Sequence, residues 1–205
     1  VSQMGPAFME GTLYEGIIPV AKHFPGHGDT SLDSHTDLPV VAHSMDRLRN
    51  FELVPFEEAI KNGVPAIMTA HILLPLLDED APATLSPAII KGLLREQLQF
   101  EGVVITDDLG MAAIAGLYTT GQAAVKAVKA GVDTLLICHG KEGVSQAFEA
   151  LLAAVGNEDA FSGSKNVLGS NNTPMEKIVV EEIDNAVFRV LTLKKRFGLV
   201  RLDEN

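Results

Sequence analysis

The chain has 205 residues, with 27 Asp and Glu against 16 Lys and Arg, for a formal net charge of −11. That acidic balance argues against a nucleic-acid partner, because phosphate binding needs a basic face, while an apolar share of 46% is enough for a core and too high for a disordered chain. The length suits one domain, the single cysteine excludes an internal disulfide framework, and no apolar run approaches the ~20 residues of a membrane span.

Short apolar runs alternate with amphipathic ones. Residues 16–21 read as a first strand. Residues 44–62 read as a helix with Leu48, Phe51, Leu53, Val54, Phe56, Ala59 and Ile60 on its apolar stripe, and with Pro55 as a point of kinking or division. Residues 65–70 form a second strand. Ser86 and Pro87 then read as an N-cap and first helical residue of a helix running to about Phe100. A third strand covers 102–106. A helix follows over 120–130 and stops at Gly131, then come a fourth strand at 133–138 and a helix at 142–155. Residues 156–173 break the rhythm and read as a mobile loop or linker. Thr173 to Glu176 reads as a capping box opening a last helix that ends near Phe197, with Val179, Ile183, Val187, Val190 and Leu191 on one face. Four apolar strands alternating with helices predict an α/β fold with a parallel sheet.

Chemistry in such folds collects at the carboxyl ends of strands. Here those ends carry Lys22 and His23, then His71, then Asp107 and Asp108, then His139. Lys22 and His23 offer donors suited to hydroxyl or carbonyl oxygens. Pro25, Gly26 and Gly28 exclude a regular helix in the loop after the first strand, so His23 and His27 are not a helical metal pair. Further along that loop, Asp33 precedes His35 by two residues. A carboxylate bonded to one ring nitrogen would leave the other free to trade a proton; alternatively both are solvated loop residues. A carboxylate ending an apolar strand is costly unless used or paired, so Asp107 reads as nucleophile, metal ligand or structural acceptor. Strand alternation sends only one of Asp107 and Asp108 into the site; Asp108 is expected to be structural, bonding backbone amides of the following loop.

The run Lys22-His23-Phe24-Pro25-Gly26-His27-Gly28, with Asp33-Ser34-His35, resembles the β-N-acetylglucosaminidases of glycoside hydrolase family 3. Met68-Thr69-Ala70-His71, Ile105 to Met111, Leu135 to His139 and Ala186 to Lys194 look like further blocks of that family. The likeness covers about residues 5–200. It implies a TIM-type (β/α)8 barrel, of which this chain carries about the last four βα units plus a C-terminal helix, so that residues 1–205 are the C-terminal part of one barrel domain. It implies a retaining exo-glycosidase with Asp107 as nucleophile, His35 as acid/base assisted by Asp33, and Lys22 and His23 binding hydroxyls of the terminal sugar. His71 is expected on the rim, touching sugar or nucleophile. His27 either holds its loop or joins the site; His43 and His139 have no assigned role.

The family's β-glucosidase branch has Ser-Asp-Trp at the nucleophile, and this chain has no Trp. The Asp-x-His loop favours the N-acetylglucosaminidase branch, acting on terminal N-acetylglucosamine of muropeptides or similar cell-wall fragments in peptidoglycan recycling. Gly110 departs from the family's Ser. The resemblance implies no cofactor and no metal, a carbohydrate substrate, no nucleic-acid or membrane partner, and an upstream half of the barrel, in cis or as a separate fragment. One thiol and no visible leader at Val1 point to the cytoplasm. The alternatives are a metal-dependent TIM-barrel hydrolase using His23, His27, His71, His139 and Asp107, or an inactive half-barrel fragment.

Overall fold

The computed structural model describes residues 1–30, 33–156 and 176–200. Four strands, β1 (Val20–Phe24), β2 (Ala66–Thr69), β3 (Val103–Asp108) and β4 (Thr134–Leu136), form one parallel sheet in the order β1-β2-β3-β4. Parallel neighbours need helical crossovers. The first is split: α2 (Met45–Arg47), a π-type turn (Leu48–Glu52) and α3 (Val54–Lys61). Ser44 caps its start by accepting from the Arg47 N–H, and Pro55 lies in the first turn of α3, where its missing N–H costs nothing. The second crossover is a π-type helix, Ala88–Gln97, capped by Ser86 Oγ on the Ile89 N–H. The third holds α4 (Ala112–Ala115) and α5 (Thr120–Ala130).

β1 lies later than expected. The apolar pair Ile17 and Ile18 draws the reading upstream, yet Ile17 is exposed and pairing starts at Val20 with Ala66. Lys22 and His23 are therefore inside the strand rather than beyond it. β3 likewise runs on through Asp107 and Asp108. β2 and β3 are central: Ile67 and Val104 belong to the core with Ile90, Leu93, Leu94, Leu109 and Ile114, and Ala66 and Val103 are buried too.

α5 has the expected bounds and ends at Gly131 in the left-handed conformation, with a capping box between Thr119 and Gln122 that the sequence reading missed. It packs closely on α6 (Lys141–Ala154), because a Cβ on Gly121 would come within 2.9 Å of the Ala150 methyl. α7 (Val180–Arg196) begins later than expected: residues 176–179 are not helical, and Val179 N–H donates to Glu182 Oε2 instead. The rest of the expected linker after Gly156, and Thr173, lie outside the described residues. Of the expected apolar face, Ile183 and Val190 are half-buried while Val179, Val187 and Leu191 are exposed; the buried residue of α7 is Ala186, which was not part of that face. An ion triad ties α7 to the sheet, with the buried Asp133 carboxylate 2.7 Å from Arg95 and 3.0 Å from Arg189. One more helix, α1 (Met4–Tyr14), precedes β1 and was not anticipated. Among the described residues, no helix is long and apolar enough to cross a membrane.

Candidate active site

A cavity of about 440 Å³ opens at the carboxyl end of the sheet, lined by Lys22, His23, His27, Gly28, Asp33, Ser34, His35 and Asp107. Five of the six residues singled out from the sequence thus meet at one cleft: two from β1, two from the loop that follows it, and one from β3.

Asp107 is partly exposed. Its Oδ1 accepts the backbone N–H of Asp108 at 2.8 Å, and its Oδ2 faces His23 Nε2 at 3.5 Å. Burial lowers the His23 pKa, and the neighbouring Asp107 carboxylate offsets this only in part. A neutral imidazole therefore stands beside the carboxylate near pH 7.

The loop is built around His27. Its Nε2 lies 3.1 Å from Ser34 Oγ and its Nδ1 3.2 Å from Thr30 Oγ1, which joins the two arms of the loop. Gly26 brings the backbone against the α2–α3 segment: a Cβ there would meet Glu52 Cβ at 2.8 Å. Ser34 is buried, and its carbonyl accepts the Ala113 N–H at the start of α4 at 3.3 Å. Asp33 Oδ1 accepts the backbone N–H of His35 at 3.0 Å, and the Asp33 carbonyl takes the N–H groups of Thr36 and Asp37. The carboxylate thus closes a turn, and the imidazole of His35 is exposed at the cleft. The ring-to-carboxylate bond expected between Asp33 and His35 is not among the contacts of the described residues.

His71 differs from expectation. Expected on the rim in contact with sugar or nucleophile, it is 1% exposed and is not among the residues lining the cleft. Its Nε2 lies 2.9 Å from the main-chain oxygen of Asp108 and its Nδ1 2.8 Å from Thr84 Oγ1. A carbonyl only accepts, so Nε2 carries the proton. Burial lowers the His71 pKa against the opposing pull of the Asp108 carbonyl and the Asp107 and Asp108 charges. Thr84, with no motif to mark it, reaches this spot from a turn 13 residues downstream.

Asp108 is the structural acceptor that strand alternation suggested. Its Oδ1 accepts from Gly110 N and Cys138 N, both at 3.0 Å, and its Oδ2 lies 3.2 Å from His139 Nδ1. Burial opposes ionisation, but these bonds outweigh it and hold the carboxyl below its ordinary range. Histidines from β1, β2 and β4 or their ends therefore all converge on the Asp107–Asp108 pair. The five groups of the metal alternative are differently engaged: both ring nitrogens of His27 and of His71 already have partners. Asp29, His43 and Glu52 do come within metal-ligating distance of one another, but Arg47 holds the Glu52 carboxylate through two nitrogens.

A profile of the family described as "Glycosyl hydrolase family 3 N terminal domain" matches residues 1–193. A beta-hexosaminidase of Idiomarina loihiensis is 35% identical over 180 residues, covering 87% of this chain and 53% of that protein. Beta-hexosaminidase A of Pseudoalteromonas piscicida is 41% identical over 149 residues, covering 67% of this chain and 25% of that protein. The structure of a glycoside hydrolase family 3 beta-N-acetylglucosaminidase from Paenibacillus sp. str. FPU-7 superposes with a TM-score of 0.85 at 42% identity, covering 100% of this chain and 36% of that one. The chain spans about half the length, or less, of these curated relatives.

Proposed function

The chain belongs to glycosyl hydrolase family 3, and from that premise we propose that it carries the catalytic machinery of a retaining exo-β-N-acetylglucosaminidase. The observation that carries the reading is the single cleft at the carboxyl ends of parallel strands, which gathers Asp107, His35, Asp33, Lys22 and His23.

In the first step Asp107 attacks the anomeric carbon. The bond to the aglycone oxygen breaks, and His35 gives that oxygen its proton. In the second step His35 takes a proton from water, the water oxygen bonds to the anomeric carbon, and Asp107 leaves as a carboxylate. An imidazole can serve both steps because its ordinary pKa lies near neutrality. Asp33 would assist by orienting His35: through the turn as it stands, and through the ring once its side chain rotates. Lys22 and His23 bind the hydroxyls of the terminal sugar. The relatives' printed names, beta-hexosaminidase and beta-N-acetylglucosaminidase, support the sugar class. Muropeptide fragments handled in the cytoplasm during peptidoglycan recycling are the substrate and compartment we favour.

The sheet itself is the second half of a (β/α)8 barrel in this reading, and an upstream half completes it in cis or as a separate fragment. Three features support this. β1 and β4 are edge strands among the described residues. A cavity of about 780 Å³ runs beside β1, lined by Phe8, Met9, Val20 and Phe51, and reaches Lys22 and His23. The matched part of this chain covers only 53% and 25% of the two curated relatives.

The test is hydrolysis of an aryl β-N-acetylglucosaminide by the intact protein containing this chain, with the product followed by NMR. The β-anomer released first is the expected result; the α-anomer first, or activity lost with EDTA and restored by zinc, would overturn it.

A further inference from the structure

The mechanism above makes no use of His71, although it is a buried titratable group next to the proposed nucleophile. Burying an imidazole is costly unless both nitrogens are satisfied, and here both are. The Thr84 hydroxyl that faces Nδ1 is itself fully buried; with the imidazole proton on Nε2, its one hydrogen goes to Nδ1, and its oxygen accepts from Thr69 Oγ1 at 2.9 Å. Thr69 and His71, at the end of β2, are thus bonded to one another through Thr84.

Among the described residues, this side-chain network reaches β3 through the bond from His71 Nε2–H to the Asp108 carbonyl. The same carbonyl accepts the N–H of Met111, which closes the turn after the strand. The peptide leaving Asp108 is held from two sides. On the other side of the Asp108 Cα, the N–H of the preceding peptide donates to Asp107 Oδ1, so the orientation of that carboxylate depends on where Asp108 is held. Misplacing a reacting group by about 1 Å is enough to cost on the order of 100-fold in rate.

We propose that His71 is a positioning residue, which fixes the carboxyl end of β3 through its Nε2–H bond to the Asp108 carbonyl and thereby aims Asp107 at the anomeric carbon. The inference rests on the reading of Asp107 as nucleophile. It gives His71 no contact with the sugar.

The variants His71→Gln and His71→Asn separate this role from core filling. Gln carries an amide N–H about as far from the backbone as His Nε2, whereas the amide of Asn stops near the place of Nδ1. In the intact protein, His71→Asn is expected to lower kcat on an aryl β-N-acetylglucosaminide by about tenfold to a hundredfold, with KM changed by less than about threefold. His71→Gln is expected to recover most of the loss. A wild-type kcat in His71→Asn, a Gln variant no better than Asn, or a loss confined to KM would overturn the inference while leaving the enzyme reading intact. If the wild-type protein hydrolyses no such glycoside, that reading fails instead, and the carboxyl carbon of Asp107, followed by NMR titration, decides the inference. Its curve is expected to move in His71→Asn and to return in His71→Gln; identical curves would overturn it. Should His71→Asn not fold, Thr84→Val, which strips the hydroxyl from Nδ1, is expected to move the same curve, and an unmoved curve would overturn the inference.

Discussion

His23 Nε2 stands 3.5 Å from Oδ2 of Asp107, a partly buried imidazole beside a carboxylate that has its other oxygen tied to the backbone. One oxygen of Asp107 is therefore held in place and the other is the free end at the cleft. Replacing Asp107 by Asn keeps an acceptor for the Asp108 N–H and removes the nucleophilic charge. Asp107→Asn is expected to fold with unchanged thermal stability and to show no turnover of an aryl β-N-acetylglucosaminide above background.

His35 is exposed on a loop rather than packed in the sheet. Its removal should spare the fold and strike the proton transfer. His35→Ala is expected to slow cleavage of poor leaving groups by about 10²–10⁴, and to affect cleavage of strongly activated aryl groups far less. Rates on a series of leaving groups check this; equal losses across the series would take His35 out of the acid role.

The burial of His71 also has a signature in stability. Its pKa is lowered in the fold, by burial first, against the Asp108 carbonyl and the nearby Asp107 and Asp108 charges, with His27 lowering it further. The unfolded chain, with an ordinary value of about 6.5, binds the proton more readily. Stability from this group is therefore complete above about pH 6.5 and is lost as pH falls below it towards the depressed native value. His23 behaves in the same direction. His71→Gln is expected to lose less of its melting temperature than wild type between pH 7.5 and pH 5.5. Parallel pH dependences would contradict it.

Asp133 is the anchor of α7. Its carboxylate is buried between Arg95 and Arg189 and also accepts the Val104 N–H at 2.8 Å. Removing one member of a buried ion pair strands the other, at about 3–5 kcal/mol. Asp133→Ala is expected to destabilise the fold by that order in urea unfolding, and Arg189→Met by less, since Arg189 is the more exposed partner.

Where local rules suffice, the sequence was read well. The helix over Thr120–Ala130 has both its limits because Gly131 takes a left-handed turn that few other residues adopt. β1 was displaced because hydrophobicity was the only guide, and Ile17 and Ile18 outweigh a strand that carries Lys22 and His23. A strand end facing a polar cleft tolerates such residues, and a count of apolar residues does not show this. At the site, five residues were legible as a group because they lie on one loop and at the carboxyl ends of parallel strands of one sheet, β1 and β3. His71 was placed on the rim by the same logic. Its burial depends on Thr84, which arrives from a different turn and leaves no trace near His71 in the chain.

The loop bearing His35 and the helix that follows Asp107 meet at one main-chain bond, from the Ala113 N–H to the Ser34 carbonyl. In the mechanism proposed above, this splice ties the loop of the proton donor to the segment that follows the nucleophile. Residues added near Gly28, inside the loop closed by the His27–Ser34 bond, would on that proposal alter what the cleft admits while leaving the splice in place.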